Sequence, residues 1–245
     1  MKDAGAEDLS SLGLFQASLP PPPPSAALMA SVAEMRPVRT RVPFRALMIV
    51  AVAACVFPVA ALALFPLRKA LSALPPLWFA GVGLVWLAGF IVPLTFAILP
   101  RARQVLPDGA RAGRTALLAS LTLVLMGLLL TVDAPGVTIL PRTTWEGFWH
   151  LWWHCVSFSF KVTVPAVLVG AFCLRKVAVA RLWQLGAAVG AAGGALSGLT
   201  LHGLCPYGGS AHVGLAHGGG VVIGAVLGAL WLPVLTRLAA SRRNR

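Results

Sequence analysis

The chain contains six hydrophobic runs, each close to the length that an α-helix needs to cross a bilayer. They lie at about 46–66, 77–99, 115–132, 152–174, 183–201 and 213–235. About 20 apolar residues span the hydrocarbon as a helix, which satisfies all of its own backbone hydrogen bonds. Of the 245 residues, 58% are hydrophobic and only 11% are charged, against about a quarter charged in soluble domains. We therefore predict an all-α integral membrane protein with six transmembrane helices.

The placement of lysine and arginine predicts the orientation of these helices. If the N-terminus is cytoplasmic, the inner segments hold sixteen of the 20 basic residues: Lys2, Arg36, Arg39, Arg41, Arg45, Arg101, Arg103, Arg111, Arg114, Arg175, Lys176, Arg181, Arg237, Arg242, Arg243 and Arg245. The outer loops hold three: Arg68, Lys69 and Arg142. Because cytoplasmic loops are enriched in positive charge, we predict that both the N- and C-termini are cytoplasmic.

The net charge of +13 raises the question of a nucleic-acid partner, which would need basic residues gathered on one polar module. Here the basic residues form small groups between the hydrophobic runs, so we predict the lipid bilayer as a partner and no direct contact with nucleic acid. The sequence contains no nucleotide-binding loop, hydrolase nucleophile motif or paired-carboxylate site. We therefore expect that the protein is not an enzyme.

Three regions follow from this pattern. Residues 1–45 form a polar cytoplasmic segment, 46–236 the six-helix transmembrane domain and 237–245 a basic cytoplasmic tail. The proline run at 20–24 predicts a semi-rigid linker in the polyproline II conformation. Apolar residues at helical spacing flank this linker on both sides: Leu9, Leu12, Phe15 and Leu19 before it, and Leu28, Met29, Val32 and Met35 after it.

Histidine and cysteine residues gather at the predicted outer ends of the helices: His150, His154, Cys155, His202, Cys205, His212 and His217. Imidazole and thiolate are ligands for borderline and soft metals, and paired thiols at an oxidising face can form a disulfide. We predict a redox or metal sensor at Cys155 and Cys205, with the histidines in support. No cofactor is expected other than a transition-metal ion at this outer cluster. The alternative is that these are unrelated polar side chains at the membrane interface.

Other residues within the runs are predicted to serve packing. Cys55 and Cys173 lie inside helices, where a free cysteine behaves as a small hydrophobe. Glycines recur every four residues in the last two runs, so we expect those helices to touch: Gly186, Gly190, Gly194, Gly198, Gly220, Gly224 and Gly228. Lys161 is a charge within the fourth run; such residues often mark ion pathways, which leaves a transporter as an alternative.

Three stretches of the sequence resemble the NrsF-type family of six-helix membrane anti-sigma factors. They are LMASVAEMRPVR at 28–39, Trp153-His154-Cys155 with the later Pro165, and LHGLCPYGGSAHVGLAHGG at 201–219. The resemblance runs from about residue 25 to the end. The chain departs from the family pattern where two residues separate His202 from Cys205, which the family usually has adjacent, and at Ala216, where an aromatic residue often precedes the histidine.

The resemblance implies a multi-pass protein of the bacterial inner membrane that acts as a negative regulator of transcription in a stress response. An extracytoplasmic-function sigma factor would be held by residues 1–45 and released on a signal sensed at the outer face. The residues expected to bind it are Leu9, Leu12, Phe15, Leu19, Leu28, Val32 and Met35. A small multi-pass transporter or permease, or a metal-binding membrane protein, remains the alternative.

Overall fold

The computed structural model describes residues 25–26, 43–68, 74–100, 107–130, 145–174, 181–207 and 209–241. The chain divides into two units, Met1–Arg39 and Thr40–Arg245, and the six helices defined below belong to the second. The proline run at 20–24 lies outside the described residues, as do the residues predicted to bind a sigma factor: Leu9, Leu12, Phe15, Leu19, Leu28, Val32 and Met35.

Six long helices make up the described part of the second unit. They are α1 (Pro43–Leu64), α2 (Pro76–Ile98), α3 (Gly109–Leu129), α4 (Trp145–Leu174), α5 (Leu182–Leu204) and α6, which covers 210–241. The last helix has three parts: the short α-helical turn Ser210–His212, the π-helix Val213–Gly218 and the α-helix Gly219–Ser241. Each of the six is long and apolar enough to cross a membrane. The predicted all-α fold with six membrane-spanning helices is confirmed.

Several of the helices extend beyond the predicted hydrophobic runs. α3 begins at Gly109 rather than near 115, since the Asp108 side chain caps it by accepting a hydrogen bond from the Arg111 backbone N–H at 3.2 Å. The Arg111 guanidinium then lies 3.5 Å from the centroid of the Phe96 ring, a cation–π contact. α4 likewise begins at Trp145 rather than near 152.

α5 is the central helix of the bundle, with 89% of its most apolar window buried against 22% for α1. Glycine makes this burial possible where α5 meets α6. A Cβ atom on Gly190 would collide with the carbonyl oxygen of Gly224, and one on Gly186 with that of Gly228. The two helix backbones are therefore in direct contact at these positions, which is how small residues bring membrane helices together.

The periphery of the helix bundle carries exposed apolar side chains, such as Val52 and Val56 on α1, that suit contact with lipid tails. Lys161 also lies on this periphery: its side chain is exposed, and its ammonium lies 5.7 Å from the centroid of the Phe57 ring. A lysine there can extend toward the headgroups. Its position gives no support to an ion pathway through the interior of the bundle.

Candidate functional site

Cys205 lies directly after the central helix, and the following proline explains why. The residue before a proline is disfavoured in the helical region, and Cys205 accordingly has φ −72° and ψ 122° just before Pro206. Its backbone N–H still donates to the Leu201 carbonyl at 2.7 Å. The thiol is thereby held at the end of α5, where it is only 6% exposed.

His212 and His217 come together because α6 begins with a π-helical turn. On an α-helix, residues five apart differ by about 140° around the axis. In a π-helix the hydrogen bonds run between residues five apart, as from the Gly219 N–H to the Gly214 carbonyl, so such residues lie on nearly the same side. The two imidazole centroids are 5.2 Å apart, and both side chains are buried.

Cys155 of α4 completes a group that we call the Cys/His cluster: Cys155, Cys205, His212 and His217. The Nε2 atom of His212 lies 3.4 Å from the Cys155 sulfur and 3.5 Å from the Cys205 sulfur. One donor atom from each of the four residues lies within 4.8 Å of all the others. Both cysteines are free thiols. The cluster joins three helices and offers two sulfurs and two imidazole nitrogens to a single point.

Apolar and aromatic side chains surround the Cys/His cluster. The Trp152 indole Nε1 donates a hydrogen bond to the Leu215 carbonyl at 3.0 Å, which ties α4 to the π-helical turn. The ring of Tyr207 meets that of His212 edge-on, with centroids 5.7 Å apart. Leu201 and Ala216 are buried beside the two cysteines. Such a surrounding limits the access of water and strengthens electrostatic interactions within the site.

A buried guanidinium lies close to the cluster. The Arg68 backbone N–H donates to the Gly203 carbonyl at 3.0 Å, and its side chain donates to the His202 carbonyl at 3.5 Å. Burial lowers the pKa of Arg68, while the charge of Cys205 opposes that shift. The Arg68 cation therefore lies where it can balance negative charge on Cys205.

Cys205 is the thiol in this pair that is poised to ionise. The hydrogen bond from the Cys155 thiol lowers the pKa of Cys205 most, and the nearby imidazoles of His212 and His217 lower it further, although burial acts in the opposite direction. A thiolate is the form of cysteine that attacks oxidants and binds metals. Within the cluster, the surroundings of Cys205 thus favour its thiolate form.

The other three histidines occupy different environments. His202 stacks on the Phe79 ring, with centroids 4.4 Å apart and planes at 16°, and its Nε2 donates to the Phe79 carbonyl at 3.2 Å. It therefore joins α5 to α2. His150 and His154 are exposed on α4, with their Nε2 atoms 3.1 Å apart. Within the described residues, the structure thus brings together the two predicted sensor cysteines with two of the five predicted histidines.

The sequence analysis did not select Arg68, Trp152 or Tyr207 as site residues. The sequence did contain an indication for Arg68. It is one of only three basic residues in the predicted outer loops, whereas most basic residues lie in the predicted cytoplasmic segments. The sequence contained no such indication for Trp152 and Tyr207, because aromatic residues near a helix end are common at membrane interfaces.

The fold and the site define a multi-pass membrane protein with a buried thiol–imidazole cluster at one end of its helix bundle. Residues 32–238 match the model of the NrsF family, described as "Negative regulator of sigma F", and the chain belongs to that family. The match includes all four members of the Cys/His cluster, and it confirms the resemblance seen in the sequence. No curated protein and no solved structure matches the chain.

Proposed function

We propose that this protein is an anti-sigma factor of the bacterial inner membrane that keeps an extracytoplasmic-function sigma factor inactive. The observation that carries the proposal is the match to a family of negative regulators of sigma F over residues 32–238. The apolar stripes within residues 1–45 would lie in grooves of the sigma factor, as amphipathic helices do in other complexes. The protein acts by binding this partner and not by catalysis, and it needs no direct contact with nucleic acid.

In this proposal both termini are cytoplasmic and the Cys/His cluster lies near the outer face. The support is the excess of basic residues, sixteen against three, in the segments assigned to the cytoplasm. We expect alkaline phosphatase, which is active only outside the cytoplasm, to be inactive when fused after Arg245. The same enzyme inserted between residues 135 and 142 should be active. The opposite pattern would show that the protein has the opposite orientation in the membrane.

We further propose that Cys155 and Cys205 receive the inducing signal. A two-electron oxidant such as a peroxide would take two electrons from the pair, and the two thiols would release two protons as the sulfur–sulfur bond forms. A thiophilic heavy metal ion would instead bind both sulfurs. Either event draws α4 and α5 into a new arrangement. To move the sigma factor from almost fully bound to almost fully free requires about 5.5 kcal/mol of differential affinity.

Capture of the sigma factor is tested with the full chain in membranes. We expect an extracytoplasmic-function sigma factor to co-purify with the wild type and to be lost in Leu28→Asp/Val32→Asp, which puts charge into an apolar stripe. The matched control is Ala30→Asp/Ala33→Asp, which adds the same charge at positions on the opposite side of the helical pattern. Residues 1–45 fused to a soluble carrier should also capture the sigma factor. If neither the full chain nor the fusion binds one, the anti-sigma proposal is wrong.

The thiol trigger is tested by Cys155→Ser and Cys205→Ser. We expect each variant to abolish induction of the target promoter by oxidant and by heavy metal. Cys173→Ser is the matched control, because Cys173 lies on the same helix as Cys155 and both are 7% exposed. An induced response that is equal in all three variants and the wild type would contradict a role for the two thiols.

A further inference from the structure

The Cys/His cluster contains a buried polar atom that its protein neighbours leave unsatisfied. All four side chains are less than a tenth exposed. Buried polar atoms in proteins nearly always have a hydrogen-bond partner, yet within the described residues His217 Nε2 has none. Since the cluster also includes two free thiols, it gathers strong donor atoms around one point without completing their interactions.

The distances within the cluster fit a tetrahedral metal ion. Bonds of about 2.3 Å to sulfur and 2.0–2.1 Å to nitrogen, at the tetrahedral angle, separate sulfur from nitrogen by about 3.6 Å. The observed separations from His212 Nε2 are 3.4 Å to the Cys155 sulfur and 3.5 Å to the Cys205 sulfur. All four donor atoms lie within 4.8 Å of one another, so the distances between the remaining pairs of donor atoms are compatible with the same tetrahedral geometry.

The π-helix begins directly after one histidine of the cluster and includes the other. π-helices are rare and are found mostly as single turns at functional sites. Here the turn Val213–Gly218 converts a five-residue spacing, which an α-helix would spread around its axis, into two side chains on one side. The unusual backbone is thus located where it brings two imidazoles to the two sulfurs.

We propose that the Cys/His cluster binds one divalent transition-metal ion of the zinc class in a closed tetrahedral site, with four ligands: Cys155, Cys205, His212 and His217. Two thiolates and two imidazoles are a donor set that zinc prefers, and magnesium or calcium would instead require oxygen ligands. Binding releases the two thiol protons. The resulting charge of the ion and its ligands is zero, which suits a buried position.

The four ligands leave no open coordination position, so the ion fixes helices and does not catalyse a reaction. It links α4, the end of α5 and the start of α6. α3 supports the site from outside, since a Cβ on Gly127 would lie 2.7 Å from the Gly214 Cα atom in the π-helical turn. Under the proposed function, and resting on it, a thiophilic heavy metal ion would exchange with this resident ion. An oxidant would instead take two electrons from the two metal-bound thiolates, and the ion would leave as the sulfur–sulfur bond forms.

Cobalt titration of the full-length protein in detergent tests the site. After treatment with a chelator, the wild type should bind about one Co²⁺ per chain, with the intense visible absorption of a tetrahedral ion and charge-transfer bands from thiolate. Zn²⁺ should abolish both signals by competition. A weak octahedral spectrum, or no binding at one equivalent, would overturn the proposal.

Variants locate the site. Cys155→Ser and His217→Ala should weaken Co²⁺ binding by about 100-fold or more, since even the loss of an outer-sphere partner costs about 10–100-fold. Cys173→Ser and His154→Ala are the matched controls and should bind as the wild type does. His217→Cys retains four ligands and adds a thiolate, so it should still bind Co²⁺, with stronger charge-transfer absorption. This gain of signal cannot arise from misfolding. Equal binding by all of these variants would place the ion elsewhere.

This experiment separates the metal site from the proposed function. Metal binding is measured without a sigma factor, and capture of the sigma factor is measured by co-purification. A chain that binds one Co²⁺ but captures no sigma factor would retain the site and lose the anti-sigma function. A chain that captures the sigma factor but shows no tetrahedral Co²⁺ spectrum would retain the anti-sigma function and rule out the metal site.

Discussion

Two histidine pairs in this protein have similar ring separations and different surroundings. His150 and His154 are four residues apart on α4, with ring centroids 4.6 Å apart. His212 and His217 are five residues apart on α6, with ring centroids 5.2 Å apart. The first pair is exposed. The second pair is 1% and 2% exposed and lies against two thiols.

The comparison shows that spacing along an α-helix is a poor guide to which histidines share a site. Residues four apart share a face of an α-helix, so His150 and His154 meet without any special backbone. They meet at the surface, however, where water or lipid headgroups can satisfy them. The pair that α-helical geometry would separate is the one that the π-helical turn brings into a buried cluster.

The largest expected difference between the two pairs is in stabilisation by metal. A ligand at about a thousand times its Kd stabilises the folded state by about 4 kcal/mol. Zn²⁺ at that excess should therefore raise the free energy of unfolding of the wild type and of His150→Ala/His154→Ala by this amount. It should have no such effect on His212→Ala/His217→Ala. Denaturation by SDS, with and without Zn²⁺, measures the difference. Equal stabilisation of both double variants would remove the distinction between the pairs.

The second difference is that helix α3 packs closely against the π-helical turn that carries the buried histidine pair. Gly127 of α3 faces the backbone of Gly214, and a Cβ atom added at Gly127 would have to displace the main chain of Gly214. Gly127→Ala should therefore cost about 1–3 kcal/mol. Gly219→Ala is the control, because a Cβ there meets nothing within 4 Å and alanine favours the helix by about 0.5–1 kcal/mol. The same denaturation assay should show opposite signs for the two variants.

The six helices could be predicted from the sequence because hydrophobic length is a direct consequence of bilayer thickness. Topology then placed Cys155 and Cys205 at the same end of the bundle, since Cys155 lies near the start of the fourth hydrophobic run and Cys205 follows the end of the fifth. Their proximity is in the structure; their role as a sensor stays a prediction. The helix ends were less predictable, because caps such as Asp108 extend helices beyond the apolar runs.

The π-helical turn and the separation of the histidines could not be predicted. The sequence Val213–Gly218 is compatible with either an α- or a π-helical backbone, and in the fold this turn packs closely against Gly127 of α3. His202 likewise lies only three residues before Cys205, in the last turn of α5, but its ring stacks on Phe79 of α2. Both outcomes depend on tertiary contacts that no local pattern specifies.

A third and smaller effect concerns the hydrogen bond that ties α4 to the turn. Trp152→Phe removes the donor to the Leu215 carbonyl while it retains an aromatic ring. We expect a loss of about 1 kcal/mol in stability and Co²⁺ binding weakened by about fivefold. Trp153→Phe is the control, because Trp153 is 59% exposed. If the two substitutions have the same effect, the hydrogen bond does not support the buried pair.

The smallest effect is expected from a change that gives the buried pair the spacing of the exposed one. Deletion of Leu215, whose side chain is 47% exposed, leaves His212 and His217 four residues apart. A π-helical turn contains one more residue than the α-helical turn it replaces, so the deletion can restore an α-helix without moving the rest of α6. Histidines four apart then share a face, and Co²⁺ binding should stay within about threefold of the wild type, since this spacing is common in zinc sites. An alanine inserted after Leu215 makes the spacing six residues and should abolish binding. If the deletion instead abolishes binding as fully as the insertion does, the π-helical backbone itself is required, and not only the alignment of the two imidazoles.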